Sequence, residues 1–192
     1  MRYRAVVIGT SAGGIEASIQ VLGKLPAQYA LPVILVQHLH KDQDRSLIRF
    51  YNNRVPLIVE EAEEKEQVLP GRIYVAPPDY HLLVERDETF SLSVDEKVNY
   101  SRPSIDVLFE SAADVYGAAL IGVLMTGANH DGAFGLQRIK EYGGLTLVED
   151  PATAKFSEMP RSALACTEVD HVLSLGEIGS LLFTLADIGS DG

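Results

Sequence analysis

Three uninterrupted apolar runs constrain this chain more than any other feature: residues 4–9 (RAVVIG), 32–37 (PVILVQ) and 118–125 (AALIGVLM). A strand with one wet face alternates apolar and polar residues, whereas these runs need cover on both faces, as strands inside a parallel sheet do. Each is followed by a turn and then by apolar residues spaced three and four apart, at 15–25, 44–53 and 133–142, which reads as helix. Residues 55–61 (VPLIVEE) and 145–150 (LTLVED) read as further strands. Residues 103–116, opened by Pro103 and Ser104, and the stretches 159–166 and 172–186 complete the alternation. The expected fold is α/β, a mostly parallel, doubly wound sheet with helices on both faces. Between about residues 70 and 95 short β-rich segments separated by Pro-Pro and Asp-Glu predict a small antiparallel insertion. The charge run EEAEEKE at 60–66 reads as a solvated turn, and the last seven residues as a frayed end. The whole, residues 1–192, is expected to be one domain.

Right-handed crossovers place every strand-to-helix turn on one edge of such a sheet, where ligands bind. The first of these turns is G-T-S-A-G-G at 9–14. As a dinucleotide fingerprint it fails, because Ser11 stands where the middle glycine must let a pyrophosphate approach, and the next strand ends in Gln37-His38 rather than an acid. No Gly-Lys-Ser/Thr follows, which removes a P-loop. The same residues match G-x-S-x-G, a turn that lifts a serine hydroxyl above the sheet while nearby N–H groups face a developing oxyanion. The bland alternative is a serine that only shapes the turn or caps the helix.

A serine hydroxyl needs a base. Of the five histidines, His38 closes the second apolar run and so emerges beside the end of the first. His40 lies two residues on in a loop, His81 in the β-rich insertion, and His171 before a short strand. The orienting carboxylate is expected at Asp131, in TGANHDGAFG at 126–135, just beyond the third run. Taken singly, His38 can be a structural hydrogen-bonding residue and Asp131 a helix cap. Neighbouring His130 hints at a metal, but adjacent residues do not make a spaced ligand set, so no metal and no cofactor are predicted. The order Ser, His, Asp differs from that of α/β-hydrolases, and the whole hydrolase fold is not implied.

Charge and composition narrow the classes. The formal net charge is -11, with no cationic stripe for phosphates or anionic lipid, so neither nucleic acid nor a membrane surface is an expected partner. No run of 18 apolar residues or signal peptide is present, and the lone Cys166 has no disulfide or metal-spacing partner; a reducing, cytoplasmic setting is expected.

Several separated motifs then carry a resemblance. VVIGTSAGG at 6–14, VQH at 36–38, VLPGRIYVAPP at 68–78, RPSIDVLF at 102–109, LMTGANHDG at 124–132 and MPR at 159–161 make the chain, over about 4–186, closely similar to the catalytic domain of the CheB-type protein-glutamate methylesterase family. The resemblance implies a serine-dependent carboxylic ester hydrolase of chemotaxis signal transduction. Its substrates would be glutamyl methyl esters on the cytoplasmic helices of methylated chemoreceptors, hydrolysed to glutamate and methanol, with glutamine deamidation in some members. It implies Ser11, His38 and Asp131 as the catalytic triad, with backbone N–H groups near Ala12 and Ala128 around the oxyanion; Arg102, in an S-R-P-S segment, reads separately as a contact for substrate acids, although a surface or helix-start cation explains it equally. Most members carry an amino-terminal receiver domain. The first strand begins within five residues of Met1, so none is predicted within these residues; either the domain stands alone or the chain is a piece of a larger one, and a separate receiver or signalling protein is a candidate partner. Two departures concern the site: Ala12 where threonine often follows the nucleophile, and Ala128 where methionine is common. A receptor-binding module without catalysis, or a serine esterase with another substrate, are the alternatives.

Overall fold

The computed structural model describes residues 3–38 and 47–187; His40 and the last five residues of the tail lie outside them. The three apolar runs become β1 (Ala5–Thr10), β2 (Val33–Gln37) and β7 (Leu120–Leu124), all fully buried. Neighbouring side chains of β1 enter opposite cores. Val6 and Ile8 pack with Val21, Leu22 and Ile178, while Ala5 and Val7 pack with Phe109, Leu136 and Met159. That is why the run cannot alternate. On the first face lie α1 (Gly14–Leu22), α2 (Leu47–Asn52) and α6 (Leu175–Asp187); on the second lie α3 (Ile105–Tyr116), α4 (Ala133–Glu141) and α5 (Glu158–Cys166).

Among the described residues the sheet has seven strands, all parallel, in the order β3-β4-β2-β1-β7-β8-β9, with β3 Ile58–Glu61, β4 Arg72–Val75, β8 Leu145–Glu149 and β9 His171–Leu173. The fold class is as expected. The antiparallel insertion is narrower than its texture, a hairpin of β5 (His81–Val84) and β6 (Phe90–Ser93). Arg72–Val75 instead enters the main sheet between β2 and β3; Pro70 and Pro77-Pro78 bracket so short a strand that its pattern merged with the hairpin's. The charge run also divides. Glu60 and Glu61 close the edge strand β3, where Glu60 receives two bonds from Arg72 Nη1 at 2.7 and 2.8 Å, and the turn follows them.

The chain leaves β1 towards β2 on one side and places β7 on the other, so the carboxyl ends of β1, β2 and β7 form the switch point at which open α/β sheets bind ligands. The ladder continues past the strands: His38 N donates to Thr10 O (3.1 Å), Met125 N to Gly9 O (3.0 Å) and Ser11 N to Thr126 O (3.0 Å). Ser11, His38 and the 126–131 loop are thereby held level.

Candidate active site

The turn after β1 depends on two glycines. Gly13 has φ 76, a left-handed conformation that costs glycine little. A Cβ on Gly14 would sit 2.3 Å from Thr10 Oγ1 and 2.5 Å from Gln37 Oε1. Gln37 braces this turn to its neighbour, its Nε2 donating to both Ser11 O and His38 O at 2.9 Å. Thr126 braces the other side, donating through Oγ1 to Ala12 O (3.0 Å) and accepting from Phe156 N (2.9 Å). Met159 N donates to Gly127 O at 3.0 Å, which explains why the Met-Pro-Arg segment belongs with the site motifs.

Asp131 is fully buried at the amino terminus of α3. Its Oδ1 accepts from Ser104 Oγ (2.8 Å), Asn99 Nδ2 (2.9 Å) and Asp106 N (3.3 Å), and its Oδ2 from Ile105 N (2.6 Å). Burial alone would raise its pKa, but His38, Asn99 and the Ile105 N–H outweigh that and hold the carboxyl below the usual range. It is therefore ionised at neutral pH. His38 Nε2 lies 2.9 Å from Asp131 Oδ2, within ion-pair distance but without the directed geometry of an N–H···O bond.

The other ring nitrogen faces Ser11 through an intermediary. Ser11 Oγ and His38 are not hydrogen-bonded to each other; Asn129 Nδ2 stands 3.5 Å from Ser11 Oγ and 3.4 Å from His38 Nδ1. Among the described residues the N–H groups of Ala12 and Ala128 have no protein acceptor, so the site has donors to spare. An ionised acid against one imidazole nitrogen, a serine near the other and unengaged N–H groups are together the equipment of acyl transfer.

Two adjoining cavities of about 420 Å³ each open here and share Gln37, His38 and Ser101. Ser11, Asn129 and Lys155 line one; Lys97, Tyr100 and Arg102 line the other. Arg102 Nη1 donates to Val94 O (2.8 Å) and Asp95 O (3.0 Å), tying the wall of the second cavity together.

Residues 6–182 match the family model for CheB methylesterase. The chain belongs to the CheB methylesterase family. A relative from Leptospira interrogans, a putative protein-glutamate methylesterase/protein-glutamine glutaminase, is 54% identical over 185 residues that cover 96% of each chain. The protein-glutamate methylesterase FrzG of Myxococcus xanthus is 36% identical over 186 residues, covering 97% of this chain and 56% of its own length. The crystal structure of the Thermotoga maritima CheB methylesterase catalytic domain superposes with a TM-score of 0.91 at 34% identity, covering 96% of this chain and all of that one (100%).

Within this candidate site, sequence reasoning missed Asn99, Ser104, Asp106 and Asn129 as partners of the acid and the serine. Ser104 was legible only as a helix start, and it does cap α3, accepting from Val107 N. Asn99 comes from a turn, residues 98–101, in which Asn99 (φ 50) and Tyr100 (φ 63) are both left-handed, a type I′ geometry closed by Val98 N to Ser101 O (3.2 Å) and Ser101 N to Val98 O (2.8 Å). Its amide bridges Asp131 and Asp106, donating to Asp106 Oδ2 at 2.7 Å. Burial chiefly pushes Asp106 up to about 6; the Gly135 N–H opposes this and the charge of Asp131 adds to it. His81 is structural, buried with Nδ1 accepting from Ser104 N (3.2 Å) and Nε2 facing Glu96 O (2.9 Å). Among the described residues no three His, Cys, Asp or Glu side chains gather as a metal site requires.

Proposed function

We propose that the chain hydrolyses glutamyl methyl esters on the cytoplasmic helices of chemoreceptor-type proteins, giving glutamate and methanol, and deamidates glutamine on the same helices. Ser11 is the nucleophile, His38 the base and then the acid, and Asp131 the ionised group that orients His38. The proton moves from Ser11 Oγ to His38 Nδ1 as Oγ attacks the side-chain carbonyl, and the Ala12 and Ala128 N–H groups receive the oxyanion. His38 protonates the departing methanol, and a water activated by the same nitrogen releases the acid. With glutamine the leaving group is ammonia and the acyl-enzyme is the same, which fits the double name of the Leptospira relative.

The observation that carries this reading is the imidazole of His38 set between buried, ionised Asp131 and the side of the site that holds Ser11. Lys97 and Arg102 on the second cavity are assigned to acidic groups of the receptor helix, and Tyr100 to its apolar face. No helix among the described residues is long and apolar enough to cross a membrane, and we assign the protein to the cytoplasm, where those receptor helices lie.

The test is methanol release from methylated receptor helices. S11A and H38A are each expected to lower turnover by at least ~10³-fold without unfolding the protein. Wild-type turnover in S11A excludes the serine mechanism. Retained receptor binding by a wild-type protein that cleaves neither ester nor amide would favour a binding module instead.

A further inference from the structure

Asn129 stands between the two groups that the proposed chemistry must join. Its Oδ1 accepts the Asp131 N–H at 3.0 Å. Only an oxygen can accept that donor, so the orientation of the amide is settled by its own neighbour and the Nδ2 end faces the site. There it meets Ser11 Oγ at 3.5 Å and His38 Nδ1 at 3.4 Å. Both contacts are at the long limit for hydrogen bonds, hence weak and readily exchanged. With the ring proton on Nε2, against ionised Asp131, the Nδ1 lone pair is the one Ser11 needs, and Asn129 is lying on it.

We propose that Asn129 is a catalytic residue whose Nδ2–H binds the oxyanion of the tetrahedral intermediate, and that the contacts in this structure are its resting position. The inference rests on Ser11 and His38 acting as described above. When Ser11 attacks, its hydroxyl proton passes to His38 Nδ1, the Oγ–C bond forms and the carbonyl π pair moves onto the carbonyl oxygen. That oxygen is bonded to the carbon that Oγ has joined, within reach of a donor already 3.5 Å from Oγ. Collapse restores the C=O bond, breaks the bond to the methoxy oxygen and delivers the His38 proton to it as methanol.

The electrostatics favour this assignment. An N–H that touches a neutral hydroxyl weakly binds a full negative charge about twice as strongly as a neutral acceptor, so the gain falls in the transition state rather than in the ground state. Turning to the oxyanion also uncovers Nδ1 at the moment Ser11 must give up its proton. The Asp131 N–H holds the other end of the amide throughout, so the donor pivots rather than wanders. Asn129 thus adds a side-chain donor beside Ala12 and Ala128, positions whose own side chains are only methyls.

The test uses the purified full chain with a methylated receptor-helix peptide, phenylboronic acid as a probe that forms a tetrahedral adduct on serine, and the product peptide as a ground-state ligand. N129A is expected to lose ~10²-fold in kcat with KM within threefold. Its affinity for the boronic acid should fall in parallel while product binding is unchanged. N129S provides a second truncation if N129A does not fold, and N129D, which sets an acid against the oxyanion, should be slower than either. A kcat for N129A and N129S within threefold of wild type, or a loss confined to KM, overturns the assignment while leaving the serine mechanism standing. Undiminished turnover in S11A overturns the mechanism itself and this inference with it.

Discussion

Replacing Asp131 by asparagine tests the buried acid in two independent ways. The carboxylate accepts four hydrogen bonds and faces His38 with the oxygen that also takes the Ile105 N–H. An amide has one acceptor end. If that end keeps Asn99 and Ser104, the NH2 end replaces Oδ2, where it opposes the Ile105 N–H across a 2.6 Å contact. Loss of one charge-assisted bond and an orphaned buried donor together come to about 3 kcal/mol of stability. The same NH2 end donates to His38 Nε2, forcing the ring proton onto Nδ1 and leaving Ser11 without a base. The expected loss in kcat is ~10³–10⁴-fold, set by the tautomer. Urea denaturation reads the first effect, methanol release the second, and the ¹⁵N shifts of His38 report which nitrogen carries the proton. A D131N protein within tenfold of wild-type turnover, or one with the ring proton still on Nε2, would refute the reasoning.

Two further perturbations follow from the same network. Asp106, pushed up to about 6 from the ordinary 3.8, binds its proton more tightly folded than unfolded. Its contribution is therefore complete below pH 3.8 and is lost as pH rises through 6; Asp131, held low, works in the opposite sense. Relative to D106N, the wild type should lose up to about 3 kcal/mol of stability between pH 4 and 7, and a gap constant across urea titrations over that range would contradict the Asp106 assignment. Tyr100 holds a left-handed φ of 63 while 93% exposed beside the second cavity. Y100G should raise stability by about 1 kcal/mol through relief of that strain and weaken receptor-helix binding through KM with kcat intact; unchanged KM would remove Tyr100 from the docking surface.

Much of this site could be read from the chain because its signals are local. Ser11 and His38 come within two residues of the end of an apolar run and Asp131 six residues beyond one, and parallel topology alone brings the ends of those runs together. What escaped has no local signal. Asn99 reaches Asp131 from a turn that lacks the glycine expected at a left-handed position, since Tyr100 stands there. Asp106 sits on an ordinary helical face and gains its role only because Gly135 N and Asn99 converge on it. Asn129 lies inside the LMTGANHDG segment, but the direction of its amide is set by a backbone N–H two residues on. The same holds for β4, whose membership of the parallel sheet depends on pairing with β2 and β3, residues far away in sequence.

The central claim, Ser11-dependent removal of glutamyl methyl esters, is tested most directly by peptide mass. Methylated and glutamine-bearing receptor-helix peptides are incubated with wild type or S11A and weighed. Each methyl ester should lose the mass of one methylene, glutamine should exchange NH for O, and both changes should vanish with S11A. Peptides whose masses stay unchanged under wild type, or change equally under S11A, would contradict the account.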